Sequence, residues 1–183
     1  MRLVFLLLSV IWTQHLSGAA YDTDYDQAFT FTCGKGEYIQ SIESVHSNHY
    51  EDRVFKFGCK SLKDTFPEQT ISTCEWSPYE NSFDHLLEYQ CTGNRIISGI
   101  SSYHDNHYED RRFKFYCCHP GNPAAYDCAY TAFVNAYDAL LSYRVPDNFF
   151  IRGITSTHDN SKEDRIFKFD ICKLAALGGP SVG

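Results

Sequence analysis

Long apolar runs are nearly absent from this chain of 183 residues. The one present, residues 3–12, follows Met1-Arg2 and precedes Ser17-Gly18-Ala19-Ala20. It is too short to cross a bilayer and has the form of a secretory signal peptide, assigned to residues 1–19. The remainder, 20–183, reads as an exported chain. Its tail after Cys172 is too short and too weakly apolar for a lipid-anchor signal, so no membrane insertion is expected. Basic residues are also scarce, with 16 Lys and Arg against 23 Asp and Glu. That balance excludes nucleic acid as a main partner, because phosphate binding needs clustered cations. No C-x-x-C pair exists to suggest a zinc cluster or a redox site. No Asn-x-Ser/Thr sequon is present for N-glycosylation. Neither H-E-x-x-H, a nucleophile elbow nor a phosphate loop occurs. The chain is therefore read as no enzyme, with no cofactor and no metal.

Repetition is what the chain has in quantity. The segments HSNHYEDRVFKFGC (from His46), HDNHYEDRRFKFYCC (from His104) and HDNSKEDRIFKFDIC (from His158) are three copies of one motif, spaced 58 and then 54 residues apart. Three copies of a unit present three copies of any surface it carries. Such a design suits multivalent binding and suits a unique active site poorly.

The eight cysteines all follow the signal peptide, and an oxidising compartment makes disulfides the default. Nineteen residues before Asp52, Asp110 and Asp164 stand Cys33, Cys91 and Val145, and seven after them stand Cys59, Cys117 and Ile171. Copy three has lost both members together. Cys74 and Cys128 lie 17 residues before Cys91 and Val145, and Cys118 and Cys172 lie eight after the motif aspartates. Copy one lacks both of that second set. This joint presence and absence predicts Cys33–Cys59, Cys91–Cys117, Cys74–Cys118 and Cys128–Cys172.

The pattern RVFKF, RRFKF and RIFKF alternates Phe with a basic residue, the period of a half-buried strand. Phe55, Phe57, Phe113, Phe115, Phe167 and Phe169 should point inward, and Lys56, Lys114 and Lys168 outward. A second strand precedes each motif His (YIQSIESV, IISGISSY, FIRGITST), and a third is read in YDQAFTF, FDHLLEY and YDALLSY. The expected fold is all-β: one disulfide-stapled domain of three tandem repeats, about 21–60, 74–118 and 128–172, with pseudo-threefold symmetry as a β-prism or a trefoil-like barrel.

The triplicated E-D-R-x-F-x-F motif, the YDQ lead-in, the cysteine count and the Tyr-rich acidic composition resemble the dermatopontin family over about Tyr25 to Cys172. The resemblance implies a secreted protein of the extracellular matrix. Its implied partners are proteoglycans or glycosaminoglycans, matrix proteins and cell-surface glycans, with haemagglutinating lectins, shell-matrix proteins and a cytolytic branch among invertebrate relatives. Phe55, Phe113 and Phe167 stand where Trp is common in vertebrate members, and no Arg-Gly-Asp occurs. An invertebrate-type member is implied.

Two readings apply to the motif loops. In the structural one, Asn48, Asn106 and Asn160 take left-handed turn conformations. The adjacent pairs Asp52/Arg53, Asp110/Arg111 and Asp164/Arg165 then tie down their loops. In the functional one, His46, Asn48, Glu51, His104, Asp105, Asn106, Glu109, His158, Asp159, Asn160 and Glu163 meet sugar hydroxyls, with Tyr103 and Tyr108 as stacking faces. Calcium at Asp105, Glu109 and Asp110 is disfavoured, because it needs six or more converging oxygens. Tyr21, amid acidic neighbours, is a candidate for sulfation.

Overall fold

The computed structural model describes residues 21–175, so the signal peptide expected at residues 1–19 lies outside the described residues. Eleven strands and one 3-10 turn, Leu62–Asp64, make up its regular structure. The strands are β1 (Phe29–Thr32), β2 (Glu37–Ser47), β3 (Asp52–Ser61), β4 (Ser72–Trp76), β5 (Leu87–Gln90), β6 (Ile96–Asp105), β7 (Asp110–His119), β8 (Ala124–Tyr130), β9 (Leu141–Arg144), β10 (Phe149–Asp159) and β11 (Asp164–Ala175). Each copy contributes a short lead-in strand and a long antiparallel hairpin.

The lead-in strand does not pair within its own copy. Strand β1 of copy one lies beside β6 of copy two, β5 of copy two beside β10 of copy three, and β9 of copy three beside β2 of copy one. Three separately hydrogen-bonded sheets result, in the orders β1-β6-β7-β4, β5-β10-β11-β8 and β3-β2-β9. The third sheet is one strand shorter because β4 and β8, which carry Cys74 and Cys128, have no counterpart in copy one among the described residues.

Phe55, Phe113 and Phe167, one from each hairpin, meet edge-to-face with ring centroids 6.1–6.3 Å apart and interplanar angles of 83–88°. This is the geometry that aromatic quadrupoles favour. Below them Phe57, Phe115 and Phe169 stack on Phe31, Tyr89 and Tyr143 of the lead-in strands at 4.6–5.1 Å. All six hairpin phenylalanines are buried, and Lys56, Lys114 and Lys168 between them lie half-exposed on the outer face. A β-bulge falls at the same place in every hairpin, where Ser41 opposes Gly58, Gly99 opposes Tyr116 and Gly153 opposes Asp170. One member of each pair is glycine. A Cβ at Gly99 or Gly153 would stand 2.6 Å from the carbonyl oxygen of Phe31 or Tyr89, so the neighbouring lead-in strand fits only against a bare backbone. In copy one the glycine has moved to the opposing strand, and a Cβ on Gly58 would meet the Ser41 hydroxyl.

The four disulfides link Cys33–Cys59, Cys91–Cys117, Cys74–Cys118 and Cys128–Cys172, as the repeat alignment predicts. Val145 and Ile171, in the places of the missing pair, pack in or against the main core instead.

The segments YDQAFTF, FDHLLEY and YDALLSY correct the reading above in part. Only their second halves are strands. The first halves are turns in which Asp26, Asp84 and Asp138 take left-handed φ of 58°, 61° and 58°. These turns carry the lead-in chain across to the neighbouring copy.

Candidate functional site

Each long hairpin turns through four residues, 48–51, 106–109 and 160–163. The residue after the motif His caps the turn. The Asp105 carboxylate accepts from the His107 N–H at 2.9 Å, and Ser47 accepts from the His49 N–H at 3.3 Å. Asp159 accepts from both the N–H (2.8 Å) and the hydroxyl (2.6 Å) of Ser161, bonds that hold its carboxyl below the usual range. The left-handed residue is not the expected Asn but the last of each loop: Glu51, Glu109 and Glu163 have φ of 46°, 44° and 44°. The side chains of Asn48 and Asn160 are used instead to meet the rings of His46 and His158 at Nδ1. A non-glycine residue in this region costs on the order of 1–3 kcal/mol, and the chain bears that cost at a glutamate three times.

The Asp–Arg dipeptides do not tie down their own loops, as the sequence suggested; they join different copies. Arg111 grips Asp52 through Nε and Nη2 at 2.6 Å each, Arg165 grips Asp110 at 2.6 and 2.7 Å, and Arg53 grips Asp164 at 2.5 and 2.8 Å. Copy two thus holds copy one, three holds two, and one holds three. All six side chains are at most 4% exposed. Spare guanidinium donors reach the carbonyls of Gln27, His85 and Ala139 in the lead-in turns. Oδ2 of each aspartate also accepts the backbone N–H of Asp26, Asp84 or Asp138 at 2.8–2.9 Å. Fixed in fork geometry and fully partnered, these charges are structural.

The three motif histidines face inward, with side chains 0–1% exposed. Their Nδ1 atoms approach the lead-in aspartate of the preceding copy: His46 and Asp138 at 3.4 Å, His104 and Asp26 at 3.6 Å, His158 and Asp84 at 3.6 Å. Those lead-in aspartates are the partners that the sequence reading missed. The available signal was a constant spacing of 26 residues to the motif Asp. On the other side, Nε2 of His104 and of His158 lies 3.7 Å from a carboxylate oxygen of Glu109 and of Glu163.

Glu51, Glu109 and Glu163 line one depression, together with the Asp–Arg pairs and the phenylalanine trio beneath. Burial raises the Glu109 carboxyl above its usual range, against the pull of His104, and the charges of Asp26, Glu51 and Asp52 add to it. Glu163 is raised in the same way by burial, opposed by His158 and reinforced by Asp84, Glu51 and Glu109. Asp105, Glu109 and Asp110, the trio considered for calcium, are separated in role: the first caps a turn, the second faces the depression and the third is held by Arg165.

Asn48, Asn106 and Asn160 stand exposed at the loop tips. Tyr50 and Tyr108 stand 43% and 42% exposed beside them, each covered on one face by stacking on Tyr25 or Phe83 at 4.6–4.7 Å. Lys162 takes that place in copy three and pairs with Asp138. Tyr103 is set lower, between Tyr79, Phe83 and the Arg112 guanidinium. On the outer sheet face Arg112 lies over Tyr79 and Phe83, Lys114 over Trp76 and Tyr79, and Lys168 over Tyr130 and Phe133, all within 4.9–5.9 Å. Tyr21 is half-buried, with Asp22 and Asp24 exposed beside it.

The family model for dermatopontin matches residues 23–176. The chain is 39% identical over 171 residues to the hemagglutinin/amebocyte aggregation factor of Limulus polyphemus, covering 92% of this chain and 95% of that protein. It is 39% identical over 147 residues to the dermatopontin of Biomphalaria glabrata, covering 80% and 95%. It is 43% identical over 148 residues to Millepora cytotoxin-1 of Millepora dichotoma, covering 81% and 64%. No solved structure matches. With a match running from the first lead-in turn through the last strand, the chain belongs to the dermatopontin family.

Proposed function

We propose that this chain is a secreted, non-enzymatic matrix and adhesion protein that binds proteoglycans, glycosaminoglycans or cell-surface glycoconjugates. The observation that carries the reading is the presentation of three motif loops by one rigid body, locked by cross-copy Arg–Asp pairs. Weak contacts at several loops then add as avidity. Exposed Asn48, Asn106 and Asn160 offer hydroxyl-binding amides, and Tyr50 and Tyr108 offer partly exposed rings. Glu51, Glu109 and Glu163 add acceptors, whereas His46, His104 and His158, being buried, serve by positioning the loops. Polyanions meet a different surface, the cation–aromatic strips of Arg112, Lys114 and Lys168. Aromatic support aligns those cations, although the body as a whole is acidic. Exposed acidic neighbours of Tyr21 support its sulfation, which intact-mass measurement of the secreted chain reads directly.

The experiment is glycan-array binding by the purified chain, followed by salt titration of any sulfated hit. Salt-sensitive binding that weakens in Arg112→Ala with Lys114→Ala supports the matrix reading, and a clean array removes it. A lectin or haemagglutinin with a defence role is the second reading, favoured by the aromatic loop tips and by similarity to the Limulus hemagglutinin/amebocyte aggregation factor. Agglutination of erythrocytes blocked by a simple sugar, and lost in Tyr50→Ala with Tyr108→Ala, would establish it over the first.

A further inference from the structure

Strand β6 carries a serine where the other two copies carry longer side chains. Ser98 stands between Ile97 and the bulge at Gly99, and Gln40 and Arg152 hold the matching places after Ile39 and Ile151. The correspondence holds in the backbone as well. The carbonyls of Ser98, Arg152 and Gln40 accept from the N–H groups of Cys33, Cys91 and Val145 at 2.8–2.9 Å. Gln40 is 4% exposed, and Arg152 donates from Nε to buried Asp170 at 2.6 Å. Ser98 is only 3% exposed and cannot reach so far, and its hydroxyl oxygen is buried without a hydrogen-bond partner.

Beside Ser98 lies a cavity of about 280 Å3. Thr32, Lys35, Glu37, Ile71 and Tyr116 line it, with Cys33 and the Cys74–Cys118 bridge. It sits toward the open end of the β6–β7 hairpin, away from the loop at 106–109. Two bridges hold its walls, since Cys33 is tied to Cys59. The N–H of Gly34 donates to Glu37 Oε2 at 3.0 Å, which sets that carboxylate at the wall. The site is therefore built before any ligand arrives.

Its lining mixes two kinds of surface. Hydroxyls of Ser98 and Thr32, the Lys35 ammonium and the Glu37 carboxylate can exchange hydrogen bonds, whereas Ile71, the Tyr116 ring and disulfide sulfur are apolar. One cation and one anion leave neither sign of charge favoured. A sugar ring carries the complement, hydroxyls at its rim and C–H groups on its faces. The volume lies at the small end of ligand pockets, which begin near about 300 Å3, so one ring fits and a chain does not. An unpartnered buried hydroxyl costs free energy that a ligand hydroxyl recovers.

We infer that this cavity is a binding site for a single uncharged sugar ring. Ser98 is its buried hydroxyl partner, Glu37 and Lys35 are acceptor and donor at the mouth, and Tyr116 and Ile71 form the apolar wall. The inference deepens the sugar-recognition reading, on which its ligand class rests, and places a site where the repeats differ rather than where they agree.

The test is titration of the 15N-labelled, secreted chain with glucose, galactose, mannose and N-acetylglucosamine, with glucuronate as the charged comparison. Saturable binding of a neutral sugar is expected, with amide shifts at Gly34 and Gly36. Ser98→Gln installs the residue that copy one already holds and should weaken binding by about tenfold or more, by filling the space. Ser98→Ala keeps the space and loses the hydroxyl, for about a two- to tenfold loss. Lys35→Ala, at an exposed side chain, should also weaken binding and serves if Ser98→Gln misfolds by circular dichroism or disulfide map. Shifts confined to the motif loops, no binding of any neutral sugar, or undiminished binding by a folded Ser98→Gln and by Lys35→Ala would overturn the proposal. Sugar-blocked agglutination that persists in Ser98→Gln but is lost in Tyr50→Ala with Tyr108→Ala would keep the lectin reading and overturn the cavity. Binding that Ser98→Gln abolishes while the loop variants agglutinate normally would uphold the cavity and overturn the loop-tip site.

Discussion

Arg111 and Asp52 stand 59 residues apart in sequence, yet they form a bidentate pair in which both side chains are nearly inaccessible. Sequence reading picked out these residues because the E-D-R triplet recurs, but it assigned each Arg to its own loop. Nothing local distinguishes an Asp that serves the adjacent Arg from one that serves the next copy. A buried pair contributes little net stability against an apolar replacement, whereas removing one partner strands a charge. Asp52→Ala should therefore destabilise the chain by roughly 3–5 kcal/mol, and Asp52→Leu combined with Arg111→Met should recover much of the loss. Urea midpoints measured with disulfides intact would show it; equal midpoints for the single and double variants would contradict the buried-pair account. Tyr38 offers a second test at this scale. It is 1% exposed against Phe150, and burial pushes its hydroxyl from 10.0 up to about 12. The unfolded chain ionises this tyrosine near its ordinary value and the folded chain only later. Its contribution is therefore whole below pH 10 and is lost as pH rises toward 12, roughly 2–3 kcal/mol in all. Unfolding free energy should fall across that window, and less steeply in Tyr38→Phe.

Hairpins and disulfides were the most legible elements. The Phe-Lys-Phe alternation gave the inner and outer faces of β3, β7 and β11, and cysteine pairing followed because a bridge is useless with one partner missing. Lead-in strands were half misread. Their aromatic-Asp starts look strand-like by composition, but a left-handed aspartate is a backbone state that composition does not display. Sequence separations of 26 and 44 residues make each bridge worth roughly 3–4 kcal/mol in the chain-entropy description. Replacing Cys33 and Cys59 together by Ser should lower the unfolding free energy by that amount while preserving the strand signal in circular dichroism. A change below about 1 kcal/mol would mean that the loop is already constrained when unfolded.

At the scale of the whole molecule, the chain returns on itself: copy three supplies the strand that completes copy one. Each copy also presents an aspartate to one neighbour and an arginine to the other. This cyclic exchange was invisible in sequence, because a tandem repeat is equally compatible with modules that fold alone. It makes the three copies one cooperative unit, with the loop end assembled only when all are present. A secreted fragment ending after Cys118 would keep two complete motifs and three of the four disulfide pairs. It would nevertheless leave β2 without β9, β5 without β10, and Arg53 without Asp164. Unpaired strand edges and a stranded buried charge together outweigh what two copies retain. Such a fragment should be sensitive to limited proteolysis, and the intact chain should unfold in a single transition. If the fragment resists protease and melts sharply, the copies are autonomous, and the cyclic contacts are not what holds the loops together.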